Sequence, residues 1–184
     1  MAPRDEDLMR DVQLGRFTAF DELVRRYRQP LLRVAASKLI DRTSAEDVVQ
    51  EAFLAAFAAR GTYRSELPFR TWLWTILLNL CHRHARKQSR SMQRKTAMVG
   101  EIAVFPRGGL NQLLATENRE LLHAALEKLP EVQADALRLR FFGGLKFEEI
   151  AAAMDCSLNG AKQRVKQGLW KLAGLMSRPE EQES

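Results

Sequence analysis

The sequence has few cysteines, no long apolar run and two long stretches without acidic residues. Of its 184 residues only Cys81 and Cys156 are cysteines, and neither belongs to a CxxC motif or a cysteine–histidine cluster. This pattern excludes a disulfide framework and gives no zinc signature. The most apolar run, Trp72 to Leu80, has nine residues, whereas a membrane span needs about 20. Because no signal peptide opens the chain, we expect a soluble, cytoplasmic protein without membrane insertion.

Aspartate and glutamate are missing from 67 to 100 and from 156 to 179, and both stretches carry lysine and arginine. The formal net charge is +6 and the pI is about 9.7, which favours an anionic partner. Two separate basic stretches suggest two nucleic-acid contacts rather than one evenly basic surface. For the first stretch, a solvated helix end is the alternative interpretation.

The segment from 147 to 172 predicts a helix-turn-helix. A short helix from Phe147 to Met154 is followed by a turn, and Ser157 is a suitable N-cap for the next helix. The second helix has an apolar stripe of Ala161, Val165, Gly168 and Leu172. Its opposite face carries Asn159, Gln163, Lys166 and Gln167, flanked by Lys162 and Arg164. Amides recognise adenine and amines bind guanine or phosphate, so this face suits a major groove better than it suits an ordinary solvated surface.

The remaining patterns predict an all-α chain of two small helical domains. The first domain covers 1–91, with helices over about 5–14, 18–40, 43–61 and 69–91, the third opened by a capping box at Thr43-Ser44-Ala45-Glu46. A flexible linker follows at 92–111, where glycine and proline replace helical periodicity. The second domain covers 112–178, and 179–184 form a polar tail.

Two surfaces of the first domain carry residues that are typical of binding sites. The third helix presents an acidic patch of Asp47, Gln50 and Glu51, which is either a solvated face or a docking site for a basic protein. The fourth helix and the loop before it combine aromatic rings with amide and basic groups, as single-stranded DNA sites do. The candidate residues there are Tyr63, Arg70, Trp72, Asn79, Arg83, Arg86 and Lys87.

The order of these motifs carries a family resemblance. The acidic segment DVVQEAF precedes FRTWLWTILLNL and a basic stretch, and LPEVQADALRLRFFGGLKFEEIAAAM then leads into the helix-turn-helix. From about 17 to 172 the chain resembles bacterial RNA polymerase sigma factors of the extracytoplasmic-function (ECF) group. The resemblance implies a region 2 domain, a region 4 domain and a function in promoter-specific transcription initiation.

The resemblance also implies partners and residue roles. Asp47, Gln50 and Glu51 would dock on core RNA polymerase, through its β′ and β subunits. The fourth helix and its preceding loop would recognise the melted −10 element, and the second domain would bind the duplex −35 element. An anti-sigma factor is a further expected partner. The residues expected at the −35 element are Arg140, Asn159, Lys162, Gln163, Arg164, Lys166 and Gln167.

Two departures from the family pattern keep alternatives open. Arg83 stands where the family usually has an aspartate, and Gly160 stands where it often has threonine or serine. A stand-alone helix-turn-helix regulator is one alternative, and a polymerase-binding adaptor that does not recognise promoters is another. No nucleophile–base pair, phosphate loop or metal set occurs in the sequence, so we expect no enzymatic activity, no catalytic or metal-binding residue and no cofactor.

Overall fold

The computed structural model describes residues 3–39, 41–95 and 120–176, with side chains in these ranges except for 89–95. Regular structure within them is entirely helical, which confirms the all-α prediction. The first domain contains α1 (Asp5–Gln13), α2 (Thr18–Lys38), α3 (Arg42–Ala58), a 3-10 turn (Arg60–Thr62) and α4 (Phe69–Lys95). The second contains α5, helical over 120–127, α6 (Glu131–Leu137), a π-helical turn (Arg138–Phe142), α7 (Phe147–Ala153) and α8 (Leu158–Met176).

Helices α2, α3 and α4 pack side by side, and α1 lies against α2 and α4. Each contributes the apolar stripe that its periodicity predicts, and Leu23, Val48 and Leu77 are fully buried in the resulting core. Two acidic side chains of α1 fix it in place. Asp5 accepts hydrogen bonds from Tyr27 and, at 2.7 Å, from Arg26. Glu6 accepts one from the backbone N–H of Phe69, which satisfies a free donor at the start of α4.

The start of α3 differs from the prediction. Asp41, not Thr43, is its N-cap: the Asp41 carboxylate accepts the backbone N–H of Ser44 at 2.7 Å. The Ser44 hydroxyl also donates to this carboxylate. The expected capping box at 43–46 is therefore wrong, because an aspartate two residues before Thr43 already satisfies the free N–H of Ser44. These hydrogen bonds from Ser44 lower the pKa of Asp41, which keeps the cap charged.

In the second domain α8 packs against α6 and α7, while α4 contacts α7 and α2 contacts the π-helical turn. One continuous apolar core therefore runs through both domains, although the sequence predicted two units on a flexible tether. Helix α4 continues to Lys95, so the first four residues of the predicted linker 92–111 are helical. The rest of that linker and the predicted tail 179–184 lie outside the described residues. No described helix has the length and apolarity that crossing a bilayer requires.

Candidate nucleic-acid and protein interfaces

Helix α8 has the two faces that the sequence predicts. Ala161, Val165 and Gly168 are buried against the rest of the second domain. The opposite face is open to solvent along its length and presents Asn159, Lys162, Gln163, Lys166 and Gln167, with Arg164 half-buried beside them. The Ser157 hydroxyl accepts the backbone N–H of Gly160 at 3.0 Å, which confirms Ser157 as the N-cap. A rigid helix thus presents a row of amides and amines beginning at its capped end.

Two of the three glycines of α8, Gly160 and Gly168, are explained by their surroundings. A Cβ at Gly160 would lie 3.2 Å from the capping Ser157 hydroxyl, so the missing side chain leaves room for the cap. A Cβ at Gly168 would lie 3.0 Å from a Leu137 methyl and 3.3 Å from the carbonyl oxygen of Gln133. Gly168 therefore lets α8 approach α6 closely, and it is a packing contact rather than a weak point of the helix.

Arg140 and Gln167 are held by neighbouring groups. The Arg140 guanidinium donates to the carbonyl of Leu145 at 2.7 Å and lies 4.8 Å from the centre of the Phe147 ring. It therefore stabilises the turn that precedes α7. The Gln167 side-chain oxygen accepts a hydrogen bond from Gln133 at 3.1 Å, which leaves its amide nitrogen to face outward.

The aromatic residues before and within α4 form a packed cluster. Tyr63 lies 5.1 Å from Trp72 and 5.9 Å from Phe69 between ring centres. Tyr63 is buried, and its hydroxyl donates to the carbonyl of Leu67 at 2.8 Å. Burial raises the pKa of Tyr63 to about 12. The structure therefore does not present the Tyr63 ring for stacking on a base, whereas Trp72 is half-exposed at the edge of the cluster.

The polar residues predicted along α4 divide into two groups. Asn79, Arg86 and Lys87 are exposed on one stretch of the helix. Arg70 instead turns toward the second domain: it donates to the carbonyls of Gly143 and Gly144 at 3.3 and 3.2 Å and lies 3.2 Å from the Glu149 carboxylate.

Arg83 also has a partner, which explains the charge that departs from the family pattern. Its guanidinium pairs with Glu51 of α3, and the same carboxylate lies 3.2 Å from the His84 ring. The arginine therefore connects α4 to α3. The Glu51 carboxylate is therefore already paired, whereas Asp47 and Gln50 of the acidic patch are exposed.

Beside the acidic patch lies a groove of about 500 Å³ that sequence analysis missed. The side chains of α2 and α3 form its walls, and Leu54 stands at its edge with 63% of its surface exposed. The feature that could have indicated this groove is Leu54, an exposed leucine one helical turn after Gln50. The apolar lining is Phe20, Val24, Leu32, Val49, Phe53, Leu54 and Phe57, and the rim carries Arg28, Glu46, Asp47 and Gln50.

A buried polar cluster joins the two domains, and no sequence pattern predicted it. The Lys38 ammonium lies 2.7 Å from the Asp135 carboxylate and 3.1 Å from Glu131. His82 lies 2.6 Å from Asp135, and Arg138 lies 3.2 Å from it. Burial alone would raise the pKa of Asp135, but the hydrogen bond with His82 and the charge of Lys38 outweigh it and lower that pKa.

Within the described residues, one group of three side chains lies close enough together to hold a metal ion: His82, Glu131 and Asp135. The Lys38 ammonium contacts both carboxylates of this group and supplies the positive charge that an ion would bring. Cys81 lies next to the cluster, fully buried, and burial raises the pKa of its thiol to about 12. The thiol is therefore protonated and unreactive at neutral pH.

Comparisons with known proteins cover both domains. Residues 23–91 match the family model described as Sigma-70 region 2, and residues 119–172 match the model described as Sigma-70, region 4. The RNA polymerase sigma-H factor of Pseudomonas aeruginosa is 32% identical over 171 residues, and the ECF RNA polymerase sigma-E factor of Escherichia coli K12 is 33% identical over 169 residues. Each alignment covers 88% of both chains.

Two solved structures share the arrangement of helices. One is CnrH in complex with the cytosolic domain of CnrY, with a TM-score of 0.74 and 26% identity over 94% of this chain and 97% of that one. The other is the sigma factor RpoE of Bartonella quintana in complex with the anti-sigma factor NepR. Its TM-score is 0.62, with 25% identity over 86% of this chain and 99% of that one.

Proposed function

Because the chain belongs to the ECF group of the sigma-70 family, we propose that it binds core RNA polymerase and directs it to promoters with a particular −10 and −35 sequence. The exposed amide-and-amine face of α8 carries this proposal. The polymerase performs the chemistry, so the chain acts as a DNA-recognition subunit in the cytoplasm and not as an enzyme. A stand-alone helix-turn-helix regulator would need neither the acidic patch nor the basic, aromatic α4.

Helix α8 recognises the −35 element as duplex DNA. Asn159 and Gln163 lie near the capped end, where a recognition helix meets base edges, and their amides suit adenine. Lys162 and Lys166 lie on the same exposed face and suit guanine or phosphate. Arg140 acts by holding the turn before α7, and Gln133 orients Gln167.

Helix α4 and its preceding loop bind the melted −10 element. The exposed side chains of Asn79, Arg86 and Lys87 contact the unpaired strand, with Trp72 at the edge of the aromatic cluster as the stacking surface. Tyr63 shapes the loop from inside the cluster rather than touching a base. Arg70 contacts DNA only after it leaves its partners in the second domain.

Core polymerase docks on the acidic patch and the groove between α2 and α3. Exposed Asp47 and Gln50 supply charge and hydrogen bonds, and the groove beside them accepts apolar side chains of the partner. Glu51 supports this site indirectly, because it holds Arg83 and His84 and so fixes α4 against α3. We further propose an anti-sigma factor as a regulator, since the two structural relatives were solved in complexes with CnrY and with the anti-sigma factor NepR.

The docking and recognition surfaces can be tested separately in the full-length chain. Asp47→Ala combined with Gln50→Ala should weaken binding to core polymerase at least tenfold while leaving binding to −35 duplex DNA unchanged. Lys162→Ala should do the reverse. Arg10→Ala, an exposed change on α1, is the control and should affect neither. If the double variant binds core polymerase as tightly as the wild type, the docking assignment is wrong.

A further inference from the structure

Among the described residues, Trp170 of α8 is the most exposed large apolar side chain, with 77% of its surface open to solvent. The other two tryptophans differ from it, because Trp72 is half-buried and Trp74 is fully buried. Within the described part of the chain, no group hydrogen-bonds the indole N–H of Trp170. Tryptophan is highly buried on average, so a tryptophan held in solvent by a helix points to a partner outside the chain.

Trp170 lies on the side of α8 opposite to the one that packs against the second domain. It follows the buried Ala161 by nine residues, which is about two and a half helical turns. At spacings of four, three and four residues, one row along the exposed face is formed by Asn159, Gln163, Lys166 and Trp170. The indole is therefore the last member of the row that the proposed function places on the −35 duplex.

The charges along α8 indicate what kind of partner this row attracts. The helix contains no aspartate or glutamate, and all of its charged side chains are lysine or arginine. Lys166 lies about one turn before Trp170, and Lys171 is its neighbour in sequence. Such a surface attracts a polyanion. The exposed ring therefore lies where a nucleic-acid backbone is the favoured partner.

The distance along α8 determines which part of a duplex the indole reaches. Asn159 lies eleven residues before Trp170, which corresponds to about 16 Å along the helix axis. The major groove is about 12 Å wide, and a recognition helix contacts base edges through its N-terminal residues. With Asn159 on a base edge, the indole therefore lies beyond the bases, against the sugar–phosphate strand that borders the groove.

The chemistry of an indole suits that strand. Its ring packs against the apolar side of deoxyribose, and its N–H is a hydrogen-bond donor without an accompanying acceptor. Phosphate oxygens accept hydrogen bonds in every sequence, so the N–H finds a partner there whichever bases are present. Unlike the lysines of the same face, the indole is neutral, and its binding releases no counterion from the DNA.

We propose that Trp170 is a neutral clamp on the DNA backbone at the edge of the −35 element, where it adds affinity without reading a base. This inference rests on the proposed function, because it extends the −35 site by one helical turn. The clamp differs from a lysine contact in one measurable property. An amine on a phosphate contributes to the salt dependence of binding, whereas the indole does not.

The test compares variants of the full-length chain on a duplex that the wild type selects from a random-sequence pool, and on single-base variants of that duplex. Trp170→Ala removes the ring, and Trp170→Phe keeps an aromatic ring without the N–H. Leu175→Ala truncates another exposed apolar residue of α8, away from the row, and is the matched control. Each variant is titrated at several salt concentrations and also with core polymerase, and circular dichroism checks its helical content.

We expect Trp170→Ala to bind every tested duplex about tenfold more weakly, as the loss of a hydrogen bond to a charged group implies. The slope of log affinity against log salt concentration should stay at its wild-type value. Trp170→Phe should show a smaller loss, and Leu175→Ala should show none. In a chain labelled with fluorotryptophan, the fluorine resonance that Trp170→Phe removes should shift when the selected duplex is added.

Wild-type affinity of Trp170→Ala for all duplexes overturns the clamp. A loss confined to particular base pairs overturns the assignment to the backbone. A loss of affinity for core polymerase with unchanged DNA binding also overturns the clamp, and it places the indole in a protein contact instead. A wild type that binds no duplex contradicts the proposed −35 recognition and the clamp together, whereas the other outcomes leave that recognition standing.

Discussion

The roles proposed for individual side chains on the exposed face of α8 can be measured separately. We propose that Gln163 contacts a base, so Gln163→Ala should cost about 1–3 kcal/mol and relax specificity at one base pair. We propose that Lys166 contacts phosphate, so Lys166→Ala should weaken binding to all duplexes similarly and reduce the salt dependence by about one unit. Both are measured by titrating a duplex selected by the wild type, and single-base variants of it, at several salt concentrations. Equal losses for both variants on every sequence would contradict these roles.

The pair of Arg83 and Glu51 gives a second prediction for single residues. Both side chains are substantially exposed, at 63% and 40%, so solvent screens the interaction. A double-mutant cycle with Arg83→Gln and Glu51→Gln should therefore give a coupling of about 0.2–1 kcal/mol in the free energy of unfolding. Arg83→Asp should be more destabilising than Arg83→Gln, because it places two carboxylates together. A coupling of zero would show that Arg83 does not hold α4 to α3.

At the level of helices, the close approach of α8 to α6 depends on Gly168. Gly168→Val should lower the free energy of unfolding by about 1–3 kcal/mol, because its side chain overlaps Leu137 and the Gln133 carbonyl. Gly174 lies in the same helix with nothing within 4 Å of an added Cβ. Gly174→Ala should therefore stabilise by up to about 1 kcal/mol through helix propensity alone. Denaturant unfolding compares the two, and a stabilising Gly168→Val would show that α8 and α6 can separate freely.

Helices were also the scale at which the sequence was most informative. The stripe of Ala161, Val165 and Gly168 and the cap at Ser157 depend on residues close together in the chain, so periodicity and capping rules located them. The N-cap of α3 was misplaced because Asp41 and Thr43 both fit the pattern, and only the hydrogen bond to Ser44 distinguishes them. Tyr63 was predicted to face DNA, because its burial under Trp72 cannot be seen from the spacing.

At the scale of the whole molecule, the contact between the two domains could not be predicted from the sequence. Lys38 and Asp135 are 97 positions apart, and no periodic pattern connects a lysine at the end of one helix with an aspartate inside another. The sequence instead predicted a tether that permits many arrangements. The structural role of Asp135 is visible only in the folded chain, where Lys38, His82 and Arg138 surround it.

The lowered pKa of Asp135 makes the contact between the two domains depend on pH. A carboxylate with a lowered native pKa stabilises the structure above its ordinary value of 3.8, and that contribution is lost as the pH falls through the native pKa. Asp135 faces Lys38 from α2, His82 and Cys81 from α4, and Glu131 and Arg138 from its own domain. The radius of gyration should therefore not change through titration of Asp135 above about pH 5, and it should rise below 3.8.

Asp135→Asn is the control for this pH dependence, because its side chain cannot ionise. Its radius of gyration should already be larger than that of the wild type at neutral pH. The pH dependence of its radius of gyration should also lack the contribution from ionisation of Asp135. An Asp135→Asn protein with the wild-type radius and profile would show that this carboxylate does not hold the domains together.

Promoter-directed transcription is the central claim for the molecule. Run-off transcription with purified core polymerase on a library of genomic promoters, with and without the chain, tests it most directly. We predict new transcription starts that share one −10 and one −35 motif, and we predict that the Asp47→Ala, Gln50→Ala double variant loses them. Core polymerase that binds the chain but yields no new starts would contradict the account.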